Sequence, residues 1–114
     1  MKAAIINKTG GPEVIELQDI ILEKPDEHEV TIEQKAIGLN YIDTYHRSGL
    51  YPLKLPIGLG LEGAGIVTYV GSKVENFRAG DKVAYASIPL GSYATHRNFP
   101  ASKLVKIPDG VDLE

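Results

Sequence analysis

Residues 58–67 read GLGLEGAGIV, and two chemistries are open to such a stretch. Gly58, Gly60 and Gly63 spell G-x-G-x-x-G, the spacing that cradles a dinucleotide pyrophosphate. That spacing works only between a buried strand and a helix whose N-terminus faces the phosphates. Here Pro52 and Pro56 make the preceding stretch a loop. Ile66, Val67, Thr68 and Val70 make the next one a strand. Asp81, near the place of a ribose-binding acid, sits at a turn in AGDKV and does not rescue the motif. The glycines are therefore expected to permit tight turning and close backbone approach in a β domain. A metal fares worse. A catalytic zinc needs three protein ligands, the chain has no cysteine, and His28, His46 and His96 lack ligand spacing. No metal site is expected.

Short runs rich in Val, Ile and Tyr lie between twelve glycines and seven prolines. They predict strands over 2–7, 14–22, 29–38, 62–71, 81–86, 91–99 and 103–108. The clearest is 29–38, where Val30, Ile32, Gln34 and Ala36 alternate with Thr31, Glu33 and Lys35 on a wet face. One helix is expected, over 40–49, with Asn40 as its cap and Gly49 as its stop. The segment after Pro108 resembles a helix start. This is a mostly β pattern, a small barrel or sandwich with one or two short helices. No βαβ alternation is present, so no doubly wound domain is expected within it.

The bulk properties restrict function. The 114 residues fit one domain, with 43% hydrophobic and 24% charged residues. Net charge is −3 with no basic stripe, which argues against nucleic-acid binding. No apolar run approaches the roughly 18 residues of a membrane helix, and no signal peptide fits the start. Together with the missing cysteines, this makes the expected location cytoplasmic.

Three segments carry a resemblance: GLNYIDTYHRSGLYP at 38–52, GLEGAGIVTYVGSKVENFRAGDKVAY at 60–85 and LGSYATH at 90–96. Together they resemble the medium-chain dehydrogenase/reductase superfamily, and within it the zinc-free, ζ-crystallin-like NADPH:quinone reductases. The opening GGPEVIEL is also similar to that branch. Leu61 stands where many zinc alcohol dehydrogenases carry histidine. The resemblance implies a GroES-like, partly open β-barrel, followed in such enzymes by an NADPH-binding Rossmann domain and a return to the barrel. It therefore implies that the 114 residues are the N-terminal catalytic domain, incomplete, and of little activity alone. An apolar face left exposed would favour a homo-oligomer. The rival expectations are a stand-alone GroES-like binding or co-chaperone-like module and an inactive gene fragment.

The resemblance also assigns roles. Asn40 and Asp43 are implied cofactor-binding residues, Tyr45 and Tyr51 catalytic ones, and Arg47 a lining residue of the substrate pocket. The implied substrate is a quinone or a related small carbonyl compound. Without a Lewis acid, hydrogen-bond donors must meet the negative charge arriving on the acceptor oxygen. Tyr45 and Tyr51 offer that donor and a flat aromatic surface. Asp43 is expected to hold Arg47, four residues on along the same helical side. Tyr41, Tyr69, Tyr85 and Tyr93 are expected to pack, Glu62 to accept a structural hydrogen bond, and Asp81 to meet backbone N–H groups in a turn.

Overall fold

The computed structural model describes residues 1–113. Its strands are β1 (Lys2–Ile6), β2 (Ile15–Asp19), β3 (Glu29–Gly38), β4 (Ile57–Gly58), β5 (Glu62–Val70), β6 (Lys82–Ala86), β7 (His96–Pro100) and β8 (Val105–Lys106). One α-helix, α1 (Tyr41–Ser48), lies between β3 and β4. Single 3-10 turns span Pro12–Val14 and Ala101–Lys103.

The strands form two antiparallel sheets, ordered β2-β1-β4 and β7-β3-β5-β6-β8. The segment before β7 joins them. Ala94 bridges to Ala3, Tyr93 O accepts from Ala4 N at 2.7 Å, and Thr95 N donates to Lys2 O at 2.9 Å. On its other side Thr95 O accepts from Gln34 N at 2.9 Å. The result is a barrel that is open along one side, as the resemblance implies.

Two apolar clusters fill it. Val30, Ile32, Val67, Val83, Tyr85 and Phe99 cover the inner face of the larger sheet. Ile6, Val14 and Leu59 sit under the smaller one. Each fully buried aliphatic or aromatic side chain contributes roughly 1.5–3 kcal/mol relative to exposure.

The structure corrects the sequence expectations in several places. Strand 14–22 is shorter, because 12–14 form a 3-10 turn and Ile20 and beyond leave the sheet. A two-residue strand, β4, comes directly after Pro56, where a loop was expected. Residues 109–113 form a turn and extended chain, and no helix. Thr31 is buried on the supposedly wet face of β3, because bulges at Thr31/Ile32 and Gln34/Ala36 break the strict alternation. Tyr69 is exposed, so it does not pack, and Tyr93 lies before β7 rather than inside it. Among the described residues no helix is long and apolar enough to cross a membrane.

Candidate functional site

Helix α1 begins where the sequence expects it. Asn40 has an extended backbone (φ −122°, ψ 151°), and Gly49 closes the helix in the left-handed region at φ 89°, its N–H reaching Tyr45 O at 3.1 Å. The carboxylate of Asp43 caps the first turn: Oδ2 accepts from Asn40 N at 3.1 Å. The same oxygen accepts a hydrogen bond from the Tyr93 hydroxyl, fifty positions away in sequence. Asp43 is only 3% exposed, and its second oxygen, Oδ1, has no partner among the described residues. Burial, reinforced by the Asp43 carboxylate, pushes the Tyr93 phenol above its ordinary value, so it remains a donor.

Asp43 does not hold Arg47. Arg47 Nε instead donates to Gly10 O at 3.2 Å, while Gly10 N donates to Arg47 O at 2.9 Å, which ties α1 to the loop after β1. The buried carboxylate has Tyr93 within reach on the inward side, and the helical spacing alone did not reveal that partner.

Tyr45 lies at the centre of an aromatic group. Its ring meets Tyr41 edge-on at 5.4 Å and Tyr51 edge-on at 5.5 Å between centroids. Tyr51 N also donates to Tyr45 O at 3.4 Å, which holds the next turn against the helix end. Tyr51 is half exposed. Tyr41 is 76% exposed, so it does not pack on the barrel and extends the aromatic surface outward. Asn40, Asp43, Tyr45, Arg47 and Tyr51 are thus gathered on α1 and the turn after it.

The glycines of the 58–67 stretch have packing reasons. Gly60 has φ +100°, and a Cβ there would lie 2.7 Å from the Tyr93 ring. At Gly63 it would strike Gln34 Oε1 and lie 2.7 Å from Tyr85 Oη. Strand β5, and no helix, comes next along the chain, so no pyrophosphate cradle forms.

Beside α1, Glu62 lies over Gly38, where any side chain would collide with its carboxylate. Glu62 borders an open apolar groove of about 550 Å³, lined also by Ala36, Ala64, Tyr85 and Val105. Only Gly38, two residues before Asn40, links this groove to the helix cap, and none of the five sequence-predicted site residues lines it. Asp81 behaves as expected, with Oδ2 accepting from Arg78 N at 3.1 Å.

Two buried groups were not singled out from sequence. His46 is buried with Nδ1 unpartnered among the described residues. Arg97 is 7% exposed and holds the loop before β7: it donates to Pro89 O at 2.9 Å, Leu90 O at 3.2 Å, Tyr85 Oη at 3.3 Å and Ser92 Oγ at 3.4 Å. Its guanidinium lies 4.8 Å from the Phe99 centroid and 5.1 Å from that of Tyr85. A charged residue in a strand reads as solvent-facing, and nothing local marks this one as buried.

The donor set separates the possible bound groups. Among the described residues no three His, Asp or Glu side chains converge as a metal cage would require. For a nicotinamide cofactor the fit is partial. The half-buried Asn40 offers a side-chain amide to its reactive end, while no strand–turn–helix unit for its phosphates lies within 1–113.

Comparison with known proteins agrees with this geometry. The chain is 55% identical over 106 residues to the quinone oxidoreductase of Pseudomonas aeruginosa, covering 92% of this chain and 33% of that protein. It is 40% identical over 116 residues to the 2-haloacrylate reductase of a Burkholderia species, covering 98% of this chain and 35% of that one. The crystal structure of Escherichia coli quinone oxidoreductase complexed with NADPH superposes with a TM-score of 0.97 at 46% identity, over 99% of this chain and 35% of that one. The chain thus spans about a third of the length of the curated relatives it matches. The family described as the alcohol dehydrogenase GroES-like domain matches residues 26–109, and the chain belongs to that family.

Proposed function

We propose that this chain is the catalytic-domain portion of an NADPH-dependent quinone oxidoreductase that works without a metal ion. The observation that carries the reading is the Tyr41–Tyr45–Tyr51 aromatic surface beside the capped N-terminus of α1. The likeness to a quinone oxidoreductase complexed with NADPH supports it. Bound NADPH supplies the hydride; the chain's residues orient the reactants and meet the charge. Asn40 orients the nicotinamide end through its side-chain amide, and the buried Asp43 serves the same end by accepting from the Asn40 backbone N–H. Tyr51, half exposed, offers its ring to a planar acceptor. The Tyr45 and Tyr51 hydroxyls donate to the acceptor oxygen as it gains negative charge. Arg47, fixed to Gly10 at the last turn of α1, completes the proposed acceptor site. The product takes its remaining proton from water. The exposed Leu39 and Leu50, which flank α1, support a homo-oligomer that covers apolar surface beside the site.

The likeness to a 2-haloacrylate reductase favours a second acceptor class, an alkene conjugated to a carboxylate or carbonyl. Both acceptors place negative charge on an oxygen and need the same donors. The test is NADPH oxidation by the protein carrying this domain, with a benzoquinone and with an acrylate as rival acceptors. Quinone-dependent turnover that survives a chelator is expected, with Tyr51→Ala lowering kcat/KM for the quinone by about tenfold or more. Turnover with neither acceptor would sink the reading, and turnover with the acrylate alone would select the second class.

A further inference from the structure

The geometry points to Tyr93 as a positioning residue that fixes Asn40 through Asp43. This rests on the reading that Asn40 orients the nicotinamide. Tyr93 does not sit on α1, and its own backbone is secured on both sides. Its N–H donates to Leu59 O at 3.0 Å and its carbonyl accepts from Ala4 N at 2.7 Å. Its ring lies against Gly60, where a side chain would collide with it. The phenol therefore has little freedom, and its hydroxyl donates to Asp43 Oδ2.

Asp43 depends on that donor. It is buried, its other oxygen has no partner among the described residues, and the same Oδ2 accepts from the Asn40 backbone N–H at 3.1 Å. A buried carboxylate with so few donors is held only as firmly as each of them. Tyr93, Asp43 and Asn40 thus form a three-member relay. It runs from the junction of the two sheets to the first residue of the proposed cofactor site. Helix α1 is only eight residues long, and its last turn is tied elsewhere, by Arg47 to Gly10. The relay is what sets its first turn. Tyr93 touches none of the reacting atoms, so its effect passes through Asn40.

The test is Tyr93→Phe, which keeps the ring on Gly60 and removes the hydroxyl. In this chain, the Asn40 amide should exchange with solvent about tenfold faster or more, as expected from the loss of a charge-assisted hydrogen bond. In the protein carrying this domain, Asn40→Ala and Tyr93→Phe should each raise KM for NADPH by about tenfold, with KM for the quinone nearly unchanged. The double variant should be no worse than Asn40→Ala alone, since Tyr93 acts on NADPH only through the Asn40 side chain that this variant has already removed. A purely structural Tyr93 would instead give additive losses, and that result overturns the proposal. So does a Tyr93→Phe protein whose Asn40 amide exchanges as in the parent. If Asn40→Ala leaves KM for NADPH unchanged, the nicotinamide reading fails, and the exchange rates still decide the relay. Should Tyr93→Phe not fold, Asp43→Asn replaces it in both measurements: it keeps the side-chain shape and weakens both hydrogen bonds.

Discussion

Replacing Gly65 with alanine should cost this domain about 3–5 kcal/mol, and the reason lies in the approach of two strands. Gly65 stands on β5 opposite Gln34 of β3, beside the second bulge of that pair. A Cβ built there would meet the Glu33 carbonyl oxygen, lie 2.7 Å from Ile32 Cγ2 and lie 3.0 Å from Gln34 Cα. Ordinary contact begins at 3.4 Å. Two of the three obstacles are backbone, so no rotamer change relieves them, and the strands must part by the best part of an ångström. Overpacking of this kind costs about 1–3 kcal/mol, and each ladder hydrogen bond stretched beyond use adds about 1 kcal/mol. For a domain of this size that corresponds to a fall in Tm of about 10–20 °C. Urea unfolding followed by circular dichroism measures it. Gly80→Ala is the control: nothing lies within 4 Å of its Cβ, and only its φ of +97° opposes the change. That strain is about 1–2 kcal/mol. A Gly65→Ala protein as stable as Gly80→Ala would refute the argument that close strand approach requires this glycine.

Arg97→Ala should destabilise by about 2–4 kcal/mol, because it strips hydrogen bonds from the Pro89 and Leu90 carbonyls, leaves the buried Ser92 hydroxyl with one partner fewer and removes the cation from the Phe99 and Tyr85 faces; equilibrium unfolding checks this, and a loss under about 1 kcal/mol would mean that water replaces the guanidinium at little cost. Alkaline pH should weaken the fold through Tyr93. Its folded value is raised, so its contribution is complete below the unfolded value of about 10 and is lost as pH rises beyond it. Urea midpoints across that range should fall less steeply for Tyr93→Phe than for the parent, and identical slopes would count against it.

The local pattern of β3 and α1 was legible in the sequence because it depends on nearest neighbours. Alternating Val30 and Ile32 specify a strand, and Asn40 and Gly49 set the helix ends. The bulges that bury Thr31, and the two-residue β4, were not legible, because both depend on which partner strand lies alongside. Among the candidate site residues, the run that holds Asn40, Tyr45 and Tyr51 was singled out by its residue types. The pairing of Asp43 could not. Helical spacing pointed to Arg47, four residues away, while the partner chosen, Tyr93, arrives from the far end of the chain.

By itself the sequence determined that the chain is a β domain, that 58–67 is no phosphate cradle, and that no cysteine-ligated metal can form. These rest on residue chemistry and on proline and β-branching, which act within a few residues. Only the tertiary structure decided why Gly60 and Gly63 are glycine, that Arg97 is buried, and that Tyr93 secures the cap of α1. The Gly60 and Tyr93 contacts join segments more than thirty residues apart, and Arg97 lies where β7 pairs with β3, so sheet closure and not any local preference decides them.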